Sequence, residues 1–246
     1  MEAIHTEEYR GHTIEIVPDC DADSPREDDG NLSVMACWAR RYSLGDDKTK
    51  WDEQWETPQE FLNWAKEHPE MVVAKLYLYD HTIQSISMES FVGRAHHADW
   101  DSGIIGFIYM DPMKIITDTS PIGALSYIDK KFVTYGPRGK HKINGAVARA
   151  TLKRLEKAFK SKTVTKDIRL AALGNMRAET EHYDTFVRGQ VYGYSVDGPL
   201  SDDSCWGYFG DYDETGGALD EAKSAIDAAI LREKREAEKT GRSMAI

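Results

Sequence analysis

Gly103-Ile-Ile-Gly-Phe-Ile-Tyr-Met110 decides the fold of this chain. Its eight residues form an almost unbroken apolar run between Asp101-Ser102 and Asp111-Pro112. A run this short between turn residues suits a central strand better than a helix. Upstream, Met71–Tyr79 is rich in β-formers (Val72, Val73, Leu76, Tyr77, Leu78), and Ile83–Met88 can pair with it across Asp80-His81. Further upstream, residues 12–17 alternate polar with apolar until Pro18 stops them, and residues 32–38 read as another strand. Downstream, residues 190–196 and 204–209 return to strand.

Four helices are predicted around these strands, near 58–68, 144–160, 166–187 and 219–239. The first has the clearest start: Thr57 as N-cap, Pro58 at the first helical position and Glu60 closing a capping box. The others carry apolar stripes at helical spacing: Ala148, Leu152, Leu155 and Phe159; Leu173, Met176, Thr180 and Tyr183; Leu219, Ala222, Ile226 and Ile230. Strands often follow one another directly instead of alternating with helices. The expected fold is therefore α+β: a single domain with one mixed or mainly antiparallel sheet, about four helices packed on it, and an insert at about 113–142.

The chain has 246 residues, 41% of them hydrophobic and 10% aromatic, enough to build a core and too apolar for a disordered chain. Three cysteines (Cys20, Cys37, Cys205) do not make a disulfide framework, which suits a reducing compartment. The start, Met1-Glu-Ala-Ile-His-Thr-Glu-Glu, lacks the basic-then-apolar pattern of a signal peptide. No apolar run approaches the roughly 20 residues of a membrane helix. The expectation is a cytoplasmic protein without a membrane partner.

Charge carries the main functional clue. The formal net charge is −11, yet Lys130–Arg169 holds thirteen Lys or Arg against two acids, a local +11 that leaves −22 on the rest. Residues 2–30 hold ten acids and two bases, and residues 197–221 hold eight acids and no base. Arg149, Lys153, Lys157 and Lys160 line one side of a predicted helix. Nucleic acid therefore has a footing only in the basic segment at 130–169.

Motifs for chemistry are weak. Asp19, Asp21 and Asp23 begin like a calcium-binding EF-hand loop, but Ser24, Pro25 and Gly30 break the pattern. His81, His96 and His97 sit with Asp99 and Asp101 on loop sequence, where adjacent histidines suit one ion poorly; no metal and no cofactor is expected. Gly136-Pro-Arg-Gly139-Lys140 is two residues short of a phosphate-binding loop and matches a single-strand-clamping GxxG loop only in its four residues. There is no G-x-S-x-G, and Cys205 reads as a core position in a strand. Trp100-Asp-Ser-Gly and Asp203-Ser-Cys-Trp-Gly both stand at the mouth of an apolar strand.

Six ordered blocks resemble a family of uncharacterised proteins encoded by bacteriophages and other mobile elements. They are Tyr9-Arg-Gly-His-Thr-Ile-Glu-Ile, Asp23-Ser-Pro-Arg-Glu, Met35-Ala-Cys-Trp-Ala-Arg-Arg-Tyr-Ser-Leu-Gly-Asp, Trp100-Asp-Ser-Gly with Gly106-Phe-Ile-Tyr, Glu181-His-Tyr-Asp with Gly189-Gln-Val-Tyr-Gly-Tyr, and Asp203-Ser-Cys-Trp-Gly-Tyr-Phe-Gly-Asp. The resemblance spans about residues 9–213. Ala98-Asp99 stands where many of those proteins have Cys-Pro. The family has no known activity to carry over; the resemblance implies a phage or plasmid gene expressed in a bacterial host.

Two functions follow. The first, favoured over an enzyme, is a protein that binds a host protein, such as a defence factor, in the host cytoplasm. Its contact surface would be acidic: Asp19, Asp21, Asp23, Glu27, Asp28 and Asp29 in one loop, Asp202, Asp203 and Asp211 in another. The alternative is an enzyme or binder of a nucleotide or phosphate ligand. It would use Arg138, Lys140, Arg149 and Lys153 for phosphate, and Trp100, Asp101 and Trp206 for the rest.

Overall fold

The computed structural model describes residues 2–47, 51, 54–136, 139–198 and 203–240. The chain runs β1 (His5–Tyr9), β2 (His12–Pro18), β3 (Val34–Cys37), α1 (Pro58–Glu67), β4 (Val72–Asp80) and β5 (Gln84–Ser87). Then come α2 (Ala98–Asp101), β6 (Ser102–Met110), α3 (Met113–Asp118), α4 (Pro121–Ile128), a 3-10 turn (Lys130–Phe132), β7 (Val133–Tyr135) and β8 (His141–Ile143). The chain closes with α5 (Gly145–Ser161), α6 (Lys166–Val187), β9 (Val191–Asp197), β10 (Asp203–Phe209) and α7 (Ala218–Thr240). The fold is α+β, and every described strand pair is antiparallel. The four expected helices are present, with three short ones besides among the described residues. The 113–142 segment holds α3, α4, the 3-10 turn and the β7–β8 hairpin.

The strands do not form one sheet, as the sequence reading had them. They form two four-stranded sheets, ordered β1-β2-β9-β10 and β3-β6-β4-β5, besides the hairpin. Alternation along a strand tells which face is buried but not which strand lies alongside, and β2, paired with β1 on one side, finds its second partner late in the chain, with Ile14 opposite Val196. The chain divides into two compact units, Met1–Asp23 with Thr185–Ile246, and Ser24–Asp184.

In the first unit, α7 covers one face of its sheet. Ile14, Ile16, Tyr194 and Val196 meet Ala218, Leu219, Ala222 and Ile226, the helical stripe expected from the sequence. In the second unit, β6 is central, as its apolar run demands, but only from Gly106 to Met110 is it buried. The short β3 flanks Gly106–Tyr109, so Gly103 and Ile104 pair with β4 alone and stand exposed. An aromatic cluster backs this sheet: Phe61 of α1 stacks on Phe107 at 4.8 Å, with Trp55, Trp64 and Tyr109 around it. The capping box holds α1 in register for this contact. Thr57 accepts from the Glu60 amide, and Glu60 accepts from the Thr57 amide, each at 3.3 Å.

Candidate functional site

Acidic side chains of both loops lie in the open. In the first unit Asp21, Asp23, Asp203 and Asp211 are exposed and Asp19 is half-buried. The Gly207 amide of β10 donates to Asp19 Oδ2 at 3.1 Å, which ties the end of β2 to a bulge in β10. Asp19 also donates its own amide to the Val191 carbonyl. The 19–23 loop and the turn after β10, with Asp211, Asp213 and Glu214, thus leave the same end of the sheet. Asp203 lies at the opposite end, paired with Val196. Asp202 and Arg138 fall outside the described residues, as does much of the Gly136–Gly139 loop.

This concentration of acid has a sum. The first unit holds 19 acids against 8 bases, so the chain's whole formal charge of −11 belongs to it; the second unit, 23 against 23, is neutral. Repulsion among these carboxylates is tolerable because most of them face water.

Glu27, Asp28 and Asp29 belong to the second unit, and all three are exposed. What presents them is the buried Arg26, which no motif in the sequence marks. Arg26, only 2% exposed, directs all five N–H groups to acceptors. Nε and Nη2 donate to the Asp46 carboxylate at 3.2 and 2.9 Å, and Nη2 also donates to the Ser33 carbonyl at 2.8 Å. Nη1 donates to Glu179 at 2.8 Å and to Asn31 at 2.9 Å. Glu179 also accepts from the Leu32 amide at 2.8 Å and from the Ser33 hydroxyl. Burial works against the guanidinium charge, but the hydrogen bonds and charges of Asp46 and Glu179 outweigh it and raise the Arg26 pKa. The available signal was a lone arginine inside an acidic loop, where surface exposure is the ordinary expectation.

The residues of the alternative reading are divided between the two units. Trp100, 90% exposed, belongs to α2, where Asp101 meets His81 Nδ1 at 3.3 Å. Trp206 belongs to the first unit, 46% exposed, and its ring lies over Gly193, where a Cβ would collide with it. Lys140, Arg149 and Lys153 are exposed in the second unit, on the hairpin and α5. Cys205, expected in the core, is exposed on β10 instead. The reason is topological: β10 is an edge strand with a bulge between Cys205 and Tyr208, so a strand position there is not a buried one. Cys37 is the buried thiol, and burial with the nearby Asp46 charge pushes it up to about 12. Among the described residues no group of three or more His, Cys, Asp or Glu is arranged to hold a metal ion.

No protein-family model matches the chain, and no curated protein or solved structure matches it significantly. Among the described residues no helix is long and apolar enough to cross a membrane.

Proposed function

We propose that this protein is the product of a bacteriophage or a related mobile element and works in the host cytoplasm by occupying a basic surface of a host protein. A nucleic-acid-handling defence enzyme is the natural target, because its groove is built to hold phosphates and accepts carboxylates in their place. The observation that carries the reading is the concentration of −11 in the first unit, with exposed carboxylates before and after one end of its sheet joined through Asp19 and Gly207. Fixed loops lose little freedom on binding, and a dense field of one sign speeds encounter with an oppositely charged partner.

The test is capture from host lysate, identification of the bound protein by mass spectrometry, and kinetics with the purified partner. Asp21→Lys with Asp211→Lys and Asp213→Lys should slow association about ten-fold at low salt, with a smaller change in dissociation. The effect should shrink as salt rises. Arg149→Glu with Lys153→Glu and Lys157→Glu is the matched control and should leave capture intact. Loss of capture in that control alone, with the acid variant binding normally, would overturn the reading.

A further inference from the structure

The basic segment of the second unit has a concave feature that the acidic-surface reading leaves unused. A cavity of about 620 Å³ opens between α4, the 3-10 turn, β7 and α6. Its size is that of a small-ligand site. Its floor exists because α4 and α6 approach closely at Gly174, where any Cβ would overlap the Tyr127 carbonyl. The walls are largely apolar and carry two aromatic rings, Tyr127 and Tyr135, together with Lys130, Lys131 and Arg177.

The charges in this cavity are unevenly matched. Its two acids are already engaged: Glu181 pairs with Lys130 at 2.9 Å, and Asp129 accepts from the Lys131 backbone amide at 2.9 Å to cap the 3-10 turn. Among the described residues Arg177 pairs loosely, 3.8 Å from Glu89. The Lys131 ammonium has no carboxylate partner among the described residues. Tyr135 is 62% exposed, so its ring is open to solvent. The cations continue beyond the cavity. Asn144, which precedes α5, donates to the Lys131 carbonyl at 2.9 Å, so the hairpin and the helix that bears Arg149, Lys153 and Lys157 start at its rim.

We propose that this cavity binds a nucleotide, its base against Tyr135 and Tyr127 and its phosphate at Lys131 and Arg177. Largely apolar walls that include two tyrosines suit a flat heterocycle, and the cations among the lining residues suit an anion tied to it. An inorganic anion alone would leave the rings unused, and a neutral aromatic would leave the cations unused. The nucleotide is either free or one residue of a single strand whose remaining phosphates follow the α5 cations.

Calorimetric titration of the full chain with adenosine monophosphate, with inorganic phosphate and with a single-stranded oligoadenylate of about ten residues tests this. The expected result is saturable binding of one nucleotide per chain, weakened about ten-fold by Tyr135→Ala and by Lys131→Gln. Both side chains are exposed, so circular dichroism should report an unchanged fold for each. If the oligonucleotide binds at least ten-fold tighter than the monophosphate and loses that margin in Lys153→Gln with Lys157→Gln, the ligand is a strand. Equal affinity for both identifies the free nucleotide. Three results overturn the proposal: no binding of either nucleotide probe, phosphate binding as tightly as the monophosphate, or oligonucleotide binding that responds to the α5 variants and ignores Tyr135→Ala and Lys131→Gln.

Discussion

The two units handle charge in opposite ways. The second unit is formally neutral and buries charge: among the described residues it holds six of the seven buried polar side chains, Arg26 and Asp46 being the charged ones, with Arg26 locked between Asp46 and Glu179. The first unit carries −11 and keeps its ion pairs at the surface, where Arg10 meets Asp227 at 3.1 Å and Lys223 meets Glu7 at 2.8 Å. Beneath them is an apolar core of Ile14, Ile16, Val196 and Ile226. Ionic contacts that organise a loop must be dry, because water leaves an exposed pair worth little. The 24–33 segment, which has no strand or helix of its own, depends on such contacts. The first unit's acidic loops hang from strand ends and need none.

The largest effect that would sharpen this contrast is removal of the buried guanidinium. Arg26→Met leaves Asp46 and Glu179 without their cation and should cost about 3–5 kcal/mol in urea unfolding. Arg10→Met, which removes a cation whose side chain is half exposed, should cost under about 1 kcal/mol. Similar costs for the two would break the comparison.

Glycines make the same contrast at a smaller scale. A Cβ at Gly106 would overlap the Ala36 carbonyl across the β3–β6 pair, and backbone in the middle of a sheet has nowhere to go. A Cβ at Gly193 meets first the ring of Trp206, a side chain half in solvent rather than backbone. Gly106→Ala should destabilise by about 1–3 kcal/mol and Gly193→Ala by well under that. Thermal melts decide, and Trp206 fluorescence should shift to the red in the second variant alone.

Much of this contrast was hidden in the sequence for physical reasons. The element types were legible: the 103–110 run, the Thr57 capping box and the α7 stripe report on local geometry, which neighbouring residues impose. Strand partnership was not, because Ile14 and Val196 are brought together by tertiary contact alone. Nor was the fate of Cys205, since a small side chain in a β-forming stretch reads the same on an edge as in the centre. Exposure of the acidic loops followed from composition; their joining through Asp19 and Gly207 did not. Arg26 was the furthest from view, because its partners Asp46 and Glu179 are distant in sequence and ordinary in type.

The thiols separate the units where alkaline pH does not. Burial pushes Cys37 from 9.0 to about 12, and burial pushes Tyr109 and Tyr183 from 10.0 to about 12. The unfolded chain gives up these protons first, so the stability they contribute is full below about pH 9 and is lost as pH rises toward 12. Tyr192 and Tyr194 in the first unit are raised by burial too, so weakening in alkali alone does not distinguish the units. A thiol reagent at pH 8 does: Cys20 and Cys205 should react at once, and Cys37 only on unfolding. Prompt reaction of all three would show the second core to be open.

The smallest effect bears most directly on why the charges are segregated. Asp21 and Asp213 are exposed, without an ion pair among the described residues, in a unit already at −11. Their replacement by Lys relieves like-charge repulsion and should raise stability by about 0.2–0.5 kcal/mol at low salt, fading as salt shortens the screening length. Lys157→Glu in the other unit should act in the same direction, because it turns the repulsive spacings to Lys153 and Lys160 into attractive ones at about 0.3 kcal/mol each. Guanidinium chloride is itself a salt and would mask both effects, so urea at low and high ionic strength is the measurement. Gains in both units would mean that neither charge cluster serves the fold, and that both are kept at a small cost to it for what they bind. A loss in either would make that cluster structural, and the binding role argued for it would fall with it.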